Sequence, residues 1–249
     1  MNICVAANEK ALGSAAAAKI VELLNQAISE RGEANYLVST GASQFSTFEA
    51  LLTKDMDWSK VTMFHLDEYV GLPVSHKASF QKYLRERFAD RVNLKRAVFV
   101  SGLGDLQENL RLLEEELAAH PIDVGAIGIG ENGHIAFNDP PANFDVASAY
   151  HIVSLDEACK RQQVGEGWFP SVEEVPSRAI SMTPKQIMRC QHIVSAVPGK
   201  RKAAAISNML ASQTVDPMIP ATLLTTHPSF YLFLDESSAS LCTAGMLQR

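Results

Sequence analysis

Six short apolar runs with little polar alternation punctuate this chain: Tyr36 to Ser39, Val61 to Leu66, Ala97 to Val100, Val124 to Ile129, Ile193 to Val197 and Phe230 to Leu234. A strand with one wet face alternates apolar and polar residues, so runs that do not alternate must be covered on both faces. Parallel strands under helices meet that condition. Segments of helical spacing lie between them. Leu12, Ala16, Ile20, Leu23 and Ala27 recur every three or four residues with Lys19, Glu22 and Gln26 between, and Leu106, Leu110, Leu113 and Leu117 repeat the pattern. The expectation is an α/β fold: a doubly wound, mostly parallel sheet with helices on both faces, Rossmann-like, formed by residues 1–249 as a single domain. Residues 146–155 predict a further strand whose direction the pattern leaves open. The least regular stretch is 160–178, where Gly165, Gly167, Trp168, Phe169, Pro170 and Pro176 interrupt any period. An irregular segment of that length in a compact domain is expected to be an active-site lid.

Composition narrows the function. With 249 residues, 47% apolar and 20% charged, the chain can bury a large core. A net charge of −6 argues against nucleic acid, because only Lys200, Arg201 and Lys202 cluster as cations. No apolar run approaches the roughly 18 residues of a membrane span, and the start MNICVAANEK lacks a signal-peptide pattern. A cytoplasmic protein is expected. Cys4, Cys159, Cys190 and Cys242 are far apart, with no spacing suited to zinc, and read as free thiols.

Two loops carry the chemistry. GENGHIAFNDP (130–140) follows one apolar run, and another delivers Asp67 and Glu68 within HLDEYVGL (65–72). Ligands of open α/β sheets bind at the carboxyl ends of strands, so two acid-bearing ends imply one site. A carboxylate there can take a proton from carbon next to a carbonyl, while a histidine moves a proton on oxygen and a second acid fixes its tautomer. Asp67, His134 and Asp139 fit those roles. Taken singly, Asp67 could cap a turn and His134 could be a satisfied loop histidine; their joint appearance favours catalysis. Gly128, Gly130 and Gly133 spell GxGxxG, but the prolines that follow do not open a helix, so a nicotinamide site is not expected. These glycines supply positive φ or let backbone approach a ligand.

An anion site is also legible. Thr40, Gly41, Ala42 and Ser43 lie between a strand and a helix expected to begin near Phe45, where N–H groups and hydroxyls can hold phosphate. Lys202 would add a point charge. Lys200 to Lys202 could instead be an exposed first turn, where cations oppose the helix dipole unless an anion is near.

LDEYVGL (66–72) and GENGHIAFNDP, with STGAS (39–43) and GKRKA (199–203), resemble the glucosamine-6-phosphate deaminases, whose wider family includes 6-phosphogluconolactonases. The likeness spans nearly the whole chain. Lactonases typically carry an SLFP-like run where this chain has Ala136, Phe137 and Asn138, so the deaminase branch is the nearer. The resemblance implies that Asp67 moves a proton from carbon 2 to carbon 1 of an open-chain amino sugar and that His134 assists ring opening. Asn132 and Asp139 would support His134, standing where the family has an acid and a glutamate. Thr40, Gly41, Ser43, Gly133 and Lys202 would bind the sugar phosphate. The family's phosphate-binding arginine before an aromatic pair is replaced by Gly167, with Lys160 or Arg161 as substitutes. No basic set near 142–149 suggests an allosteric activator site.

The expected reaction converts glucosamine 6-phosphate and water to fructose 6-phosphate and ammonia with no metal or redox cofactor. The expected partner is a small-molecule sugar phosphate, not nucleic acid or membrane, and the chain is expected as a monomer or a homo-oligomer of up to about six copies. A lactonase or an isomerase of another amino-sugar phosphate is the first alternative. A non-catalytic sugar-phosphate sensor is the second, disfavoured by a first strand at Asn2 or Ile3 and by the Asp67 and His134 pair.

Overall fold

The computed structural model describes residues 1–248, excepting the side chain of Ala158. The chain runs β1 (Asn2–Ala6), α1 (Glu9–Arg31), β2 (Ala34–Val38), α2 (Phe45–Leu51), β3 (Val61–His65), β4 (Asp67–Tyr69), α3 (Phe80–Arg87), β5 (Arg96–Val98) and α4 (Leu106–Ala119). It continues through β6 (Val124–Ala126), β7 (Tyr150–Ser154), α5 (Glu157–Gly165), β8 (Arg178–Met182), α6 (Pro184–Ile187), β9 (His192–Val197), α7 (Ala203–Ala211) and β10 (Phe230–Asp235). Seven strands form a parallel sheet in the order β1-β10-β9-β6-β2-β3-β5. The doubly wound α/β sheet expected from the apolar runs is present.

The lack of alternation in those runs has a direct cause. Every residue of β2 and β3 is buried, yet neighbours enter different cores. Tyr36, Val38, Val61 and Met63 pack with Leu12, Ile20 and Leu24 of α1 on one face. Leu37 and Phe64 pack with Leu113 and Leu117 of α4 on the other, beside Ile206 of α7. The period of two survives as a choice between two apolar layers. α1 is fixed at both ends: the Asn8 side chain accepts from Ala11 N at 3.0 Å, and Gly32 closes the helix with φ 82°. Among the described residues no helix is long and apolar enough to cross a membrane.

The remaining strands form a second sheet, β4-β8-β7, antiparallel throughout. The strand expected within 146–155 is therefore β7, running antiparallel outside the main sheet. Asp67 and Glu68 do not end β3; they open β4. Leu66 makes the crossing, donating its N–H to Val38 O at 3.2 Å and accepting from Met182 N at 3.0 Å. The stretch 160–178 is more regular than its composition suggested. α5 starts where Asp156 caps it, accepting from Cys159 N at 2.7 Å, and runs to Gly165; β8 begins at Arg178.

The join to β4 leaves little space. A Cβ built on Gly102 would lie 1.9 Å from Tyr69 O, and Gly71 N donates to Gly102 O at 2.9 Å. Gly102→Ala must therefore push β4 aside. A loss of about 1–3 kcal/mol is expected in urea unfolding; an unchanged midpoint would mean that these segments separate freely.

Candidate active site

The carboxyl ends of β2, β3, β6 and β9 open into one cavity of about 410 Å³. It lies where the chain order across the sheet reverses, between β2 and β6, the place such folds reserve for ligands. Thr40, Gly41 and Ser43 line it from the loop after β2, Asp67 from the start of β4, His134 from the loop after β6, and Lys202 from the turn after β9. The structure brings these six sequence-derived residues to one cavity. Asn132 and Asp139 are not on its wall but stand behind His134. Gly133 is not on the wall either: its φ of 85° makes the turn, and its carbonyl accepts from Ala221 N at 2.8 Å. Lys160 and Arg161 point to Glu157, at 3.5 and 3.9 Å, and do not line the cavity.

Asp67 is 6% exposed, and its Oδ1 has no hydrogen-bond partner in the protein. Burial first, and the neighbouring Glu68 charge second, push its pKa up to about 8. Glu68 points elsewhere and is tied down: it accepts from Ser79 Oγ and Gln81 N at 2.8 Å and from Tyr69 N at 2.9 Å. Burial raises Glu68 too, while those donors oppose the rise. Of the two adjacent acids, one is a fixed strut and the other lines the cavity, its Oδ1 buried without a partner.

His134 is placed by its loop. Gly130 N donates to His134 O at 2.8 Å, and Ile135 bridges Asn138 in a tight reversal through Ala136, which has φ 51°. The loop is pinned to the second sheet by Asn138, whose Nδ2 donates to Ile135 O and Met182 O, each at 2.9 Å. A Cβ on Gly130 would lie 2.4 Å from the His134 ring, so the missing side chain is what admits the imidazole. His134 Nδ1 lies 3.0 Å from Asp139 Oδ1, off the line of an ideal N–H···O bond.

Asn132 braces both partners. Its Oδ1 accepts from His134 N and its Nδ2 donates to Asp139 Oδ1, each at 3.0 Å. A carboxylate at 132 could accept the first bond but would meet Asp139 as a like charge, so the amide suits this shorter acid. Burial pushes Asp139 up, but His134, Asn132 and the Cys159 thiol together hold it below the usual value. Asp139 thus stays ionised beside the ring, where it can orient the imidazole and stabilise its charged form.

The far wall suits an anion. Gly41, with φ 104°, turns the chain into the 3-10 turn Ala42–Gln44 ahead of α2, and its carbonyl accepts from Tyr83 Oη at 2.8 Å. Gly199, with φ 91°, does the same ahead of Lys200–Lys202, its N–H held by Asp235 at 3.1 Å. Among the described residues the Lys202 ammonium has no hydrogen bond and no carboxylate within 4.0 Å, and burial lowers its pKa while the charges of Glu166 and Glu131 oppose the fall. Arg201 is engaged by Glu131 at 2.8 Å. Sequence reasoning missed Gln162, Gln163 and Glu166 of the α5 wall, because side chains that reach a cavity from a helix end leave no periodic mark. The Trp168 and Phe169 pair was the one available signal.

The profile of the glucosamine-6-phosphate isomerase/6-phosphogluconolactonase family matches residues 7–232. The chain belongs to this family. It is 33% identical over 244 residues to a glucosamine-6-phosphate deaminase of Bacillus cytotoxicus, covering 98% of this chain and 90% of that one. It is 35% identical over 219 residues to a deaminase of the same description from Streptococcus equi subsp. zooepidemicus, covering 88% and 91%. A solved structure described as a monomeric glucosamine-6-phosphate deaminase superposes with a TM-score of 0.87 at 27% identity, over 97% of this chain and 100% of that one. A 6-phosphogluconolactonase of Shewanella baltica, at 21% identity and a TM-score of 0.77 over 94% and 97%, shares the fold.

Burial of Asp67 gives the family member a pH-dependent stability. Its pKa is about 8 in the folded chain against an ordinary 3.8. The folded state therefore holds this proton more tightly than the unfolded chain does. Below both values burial of the acid costs nothing through ionisation; the cost grows from about pH 4 and levels off above about pH 8. Asp67→Asn should raise the Tm more at pH 8 than at pH 4, by roughly 2–4 °C for each kcal/mol recovered. Equal gains at both pH values would contradict the assignment.

Proposed function

We propose that this chain is a glucosamine-6-phosphate deaminase, converting glucosamine 6-phosphate and water to fructose 6-phosphate and ammonia. The observation that carries the reading is a buried acid, Asp67, with a pKa near 8, sharing one cavity with His134, which Asp139 backs, and with the ammonium of Lys202. The residues supply each step as follows. The phosphate rests against Lys202 and the N–H groups of 41–43. His134, steadied by Asp139, hands a proton to the ring oxygen and opens the sugar to its aldehyde. Asp67 takes the proton from carbon 2, now acidic beside the carbonyl, and returns it to carbon 1. The resulting ketimine adds water at carbon 2 and releases ammonia, leaving the ketose.

A base whose pKa lies near the working pH combines sufficient ionisation with sufficient basicity. The substrate's own ammonium at carbon 2 would favour the ionised form of Asp67 once bound. The stretch 160–178 acts in this reading as a lid over the sugar. The reading also implies a cytoplasmic catabolic enzyme whose partner is a sugar phosphate.

The test is to supply the purified protein with glucosamine 6-phosphate and follow ammonia and fructose 6-phosphate together, with galactosamine 6-phosphate and 6-phosphogluconolactone in parallel. Equal release of both products from the first substrate is expected. Turnover of the lactone or the epimer alone would overturn the proposal. Asp67→Asn should lower kcat by at least about 1,000-fold while sugar-phosphate binding stays measurable. His134→Gln should slow the closed-ring sugar more than a substrate supplied open; equal losses would remove His134 from ring opening.

A further inference from the structure

Two turns of the same build line the cavity, following β2 and β9 on either side of β6. Gly41 and Gly199 both take positive φ, 104° and 91°, and each precedes a 3-10 turn closed by one bond to its own carbonyl, from Gln44 N and from Lys202 N at 3.0 Å. The Gly199 carbonyl accepts nothing more among the described residues, so that one bond is enough to close such a turn. Gly41 O accepts a second: Tyr83 Oη, reaching in from α3, donates to it at 2.8 Å. Tyr83 is 6% exposed and does not line the cavity. Its ring stacks on Phe45 at 5.7 Å and meets Phe48 at 6.1 Å and Trp168 at 6.5 Å. Burial pushes its pKa up, so the hydroxyl keeps its proton and stays a donor.

The consequence of the second bond follows from peptide geometry. A trans peptide points its C=O and the following N–H in opposite directions, so two donors on Gly41 O also fix the direction of Ala42 N–H. The Gly41–Ala42 bond is trans; the cis bond among the described residues joins Pro140 and Pro141. Gly41, Ala42 and Ser43 all line the cavity, and among the described residues none of their N–H groups has an acceptor. Successive free N–H groups in a turn form a concavity suited to an anion, but they serve it only if their peptide planes are held. We infer that Tyr83 is a positioning residue for the phosphate subsite, its hydroxyl holding the Gly41–Ala42 peptide so that the N–H groups of the turn face the ligand. This rests on the deaminase reading for the identity of the ligand and deepens it, by giving the anion turn a support that stands outside the cavity and away from the proton transfers.

Tyr83→Phe removes the hydroxyl and keeps the ring. Inorganic phosphate and glucitol 6-phosphate, which lacks a carbonyl and cannot react, are titrated calorimetrically into wild type and variant. Both should bind roughly two- to ten-fold more weakly to Tyr83→Phe, the range of one net hydrogen bond, and by a common factor because the change lies at the phosphate. With glucosamine 6-phosphate, KM should rise by that factor and kcat hold within about two-fold, since binding lost equally from ground and transition states leaves turnover alone. Tyr150→Phe is the control: Tyr150 is also buried, and its hydroxyl also donates to a backbone carbonyl, His65 O at 2.6 Å, outside the turn. It should lower the Tm comparably and leave the affinity for inorganic phosphate unchanged. The inference is overturned by unchanged affinities in Tyr83→Phe, by an equal loss in Tyr150→Phe, by a fall in kcat at constant KM, or by a wild type that binds neither probe. Failure of the deaminase reading shows separately, as absent ammonia from glucosamine 6-phosphate with wild type while both titrations still report on Tyr83.

Discussion

Asp67 sits where the chain leaves one sheet for another, and that crossing controls everything the site can do. Leu66 is hydrogen-bonded to β2 of the parallel sheet on one side and to Met182 of the antiparallel sheet on the other. The next residue is consequently surrounded by protein on most sides and open only to the cavity. Burial without a donor on Oδ1 raises its pKa to about 8. The adjacent Glu68, by contrast, is held by Ser79 and the amides that open α3. Two neighbouring acids thus receive opposite duties from their hydrogen bonds: Glu68 anchors the strand, and Asp67 is left poised to exchange a proton.

The second sheet also governs His134. Asn138 binds Met182 O, and Ser181 Oγ accepts from Phe137 N at 3.1 Å, so β8 braces the loop that presents the imidazole. Tyr69 of β4 packs on Phe137 and Phe169, and its hydroxyl reaches Gln163 of α5 at 2.8 Å. Asp67, His134 and the α5 wall are therefore tied to one three-stranded platform. The parallel sheet contributes the turns at Gly41 and Gly199 instead. Each half of the fold supplies part of the lining, and the cavity is the seam between them.

The parallel sheet was legible in the sequence because its strands enter two apolar cores and so suppress alternation. The small sheet was not. β4 has three residues, too few for a period, and β8 follows Pro176 in a stretch that reads as irregular. Consequently Asp67 was expected at the tip of a long strand and is found at the start of a short one. The residues of the site were legible as chemistry, since an acid and a histidine after separate apolar runs suggest convergence. Their supports were less so: nothing local marks Gly130 as the space for a ring four residues on, and Asn132 was placed beside His134 by resemblance alone, without its bond to Asp139. Gly133 was legible as a residue needing positive φ, and its turn, not the cavity wall, is where the structure puts it.

The chemistry proposed for this cavity turns on the state of one carboxyl group, so its most direct test is the titration of Asp67 itself. The side-chain carboxyl of aspartate can be labelled with 13C and followed by NMR from pH 3 to pH 10 in the ligand-free protein, with Asp67→Asn identifying the resonance. An inflection near pH 8 is expected, where burial and the Glu68 charge place it. An inflection near the ordinary 3.8 would contradict it, because Asp67 would then be solvated and charged and the cavity would lack its poised base.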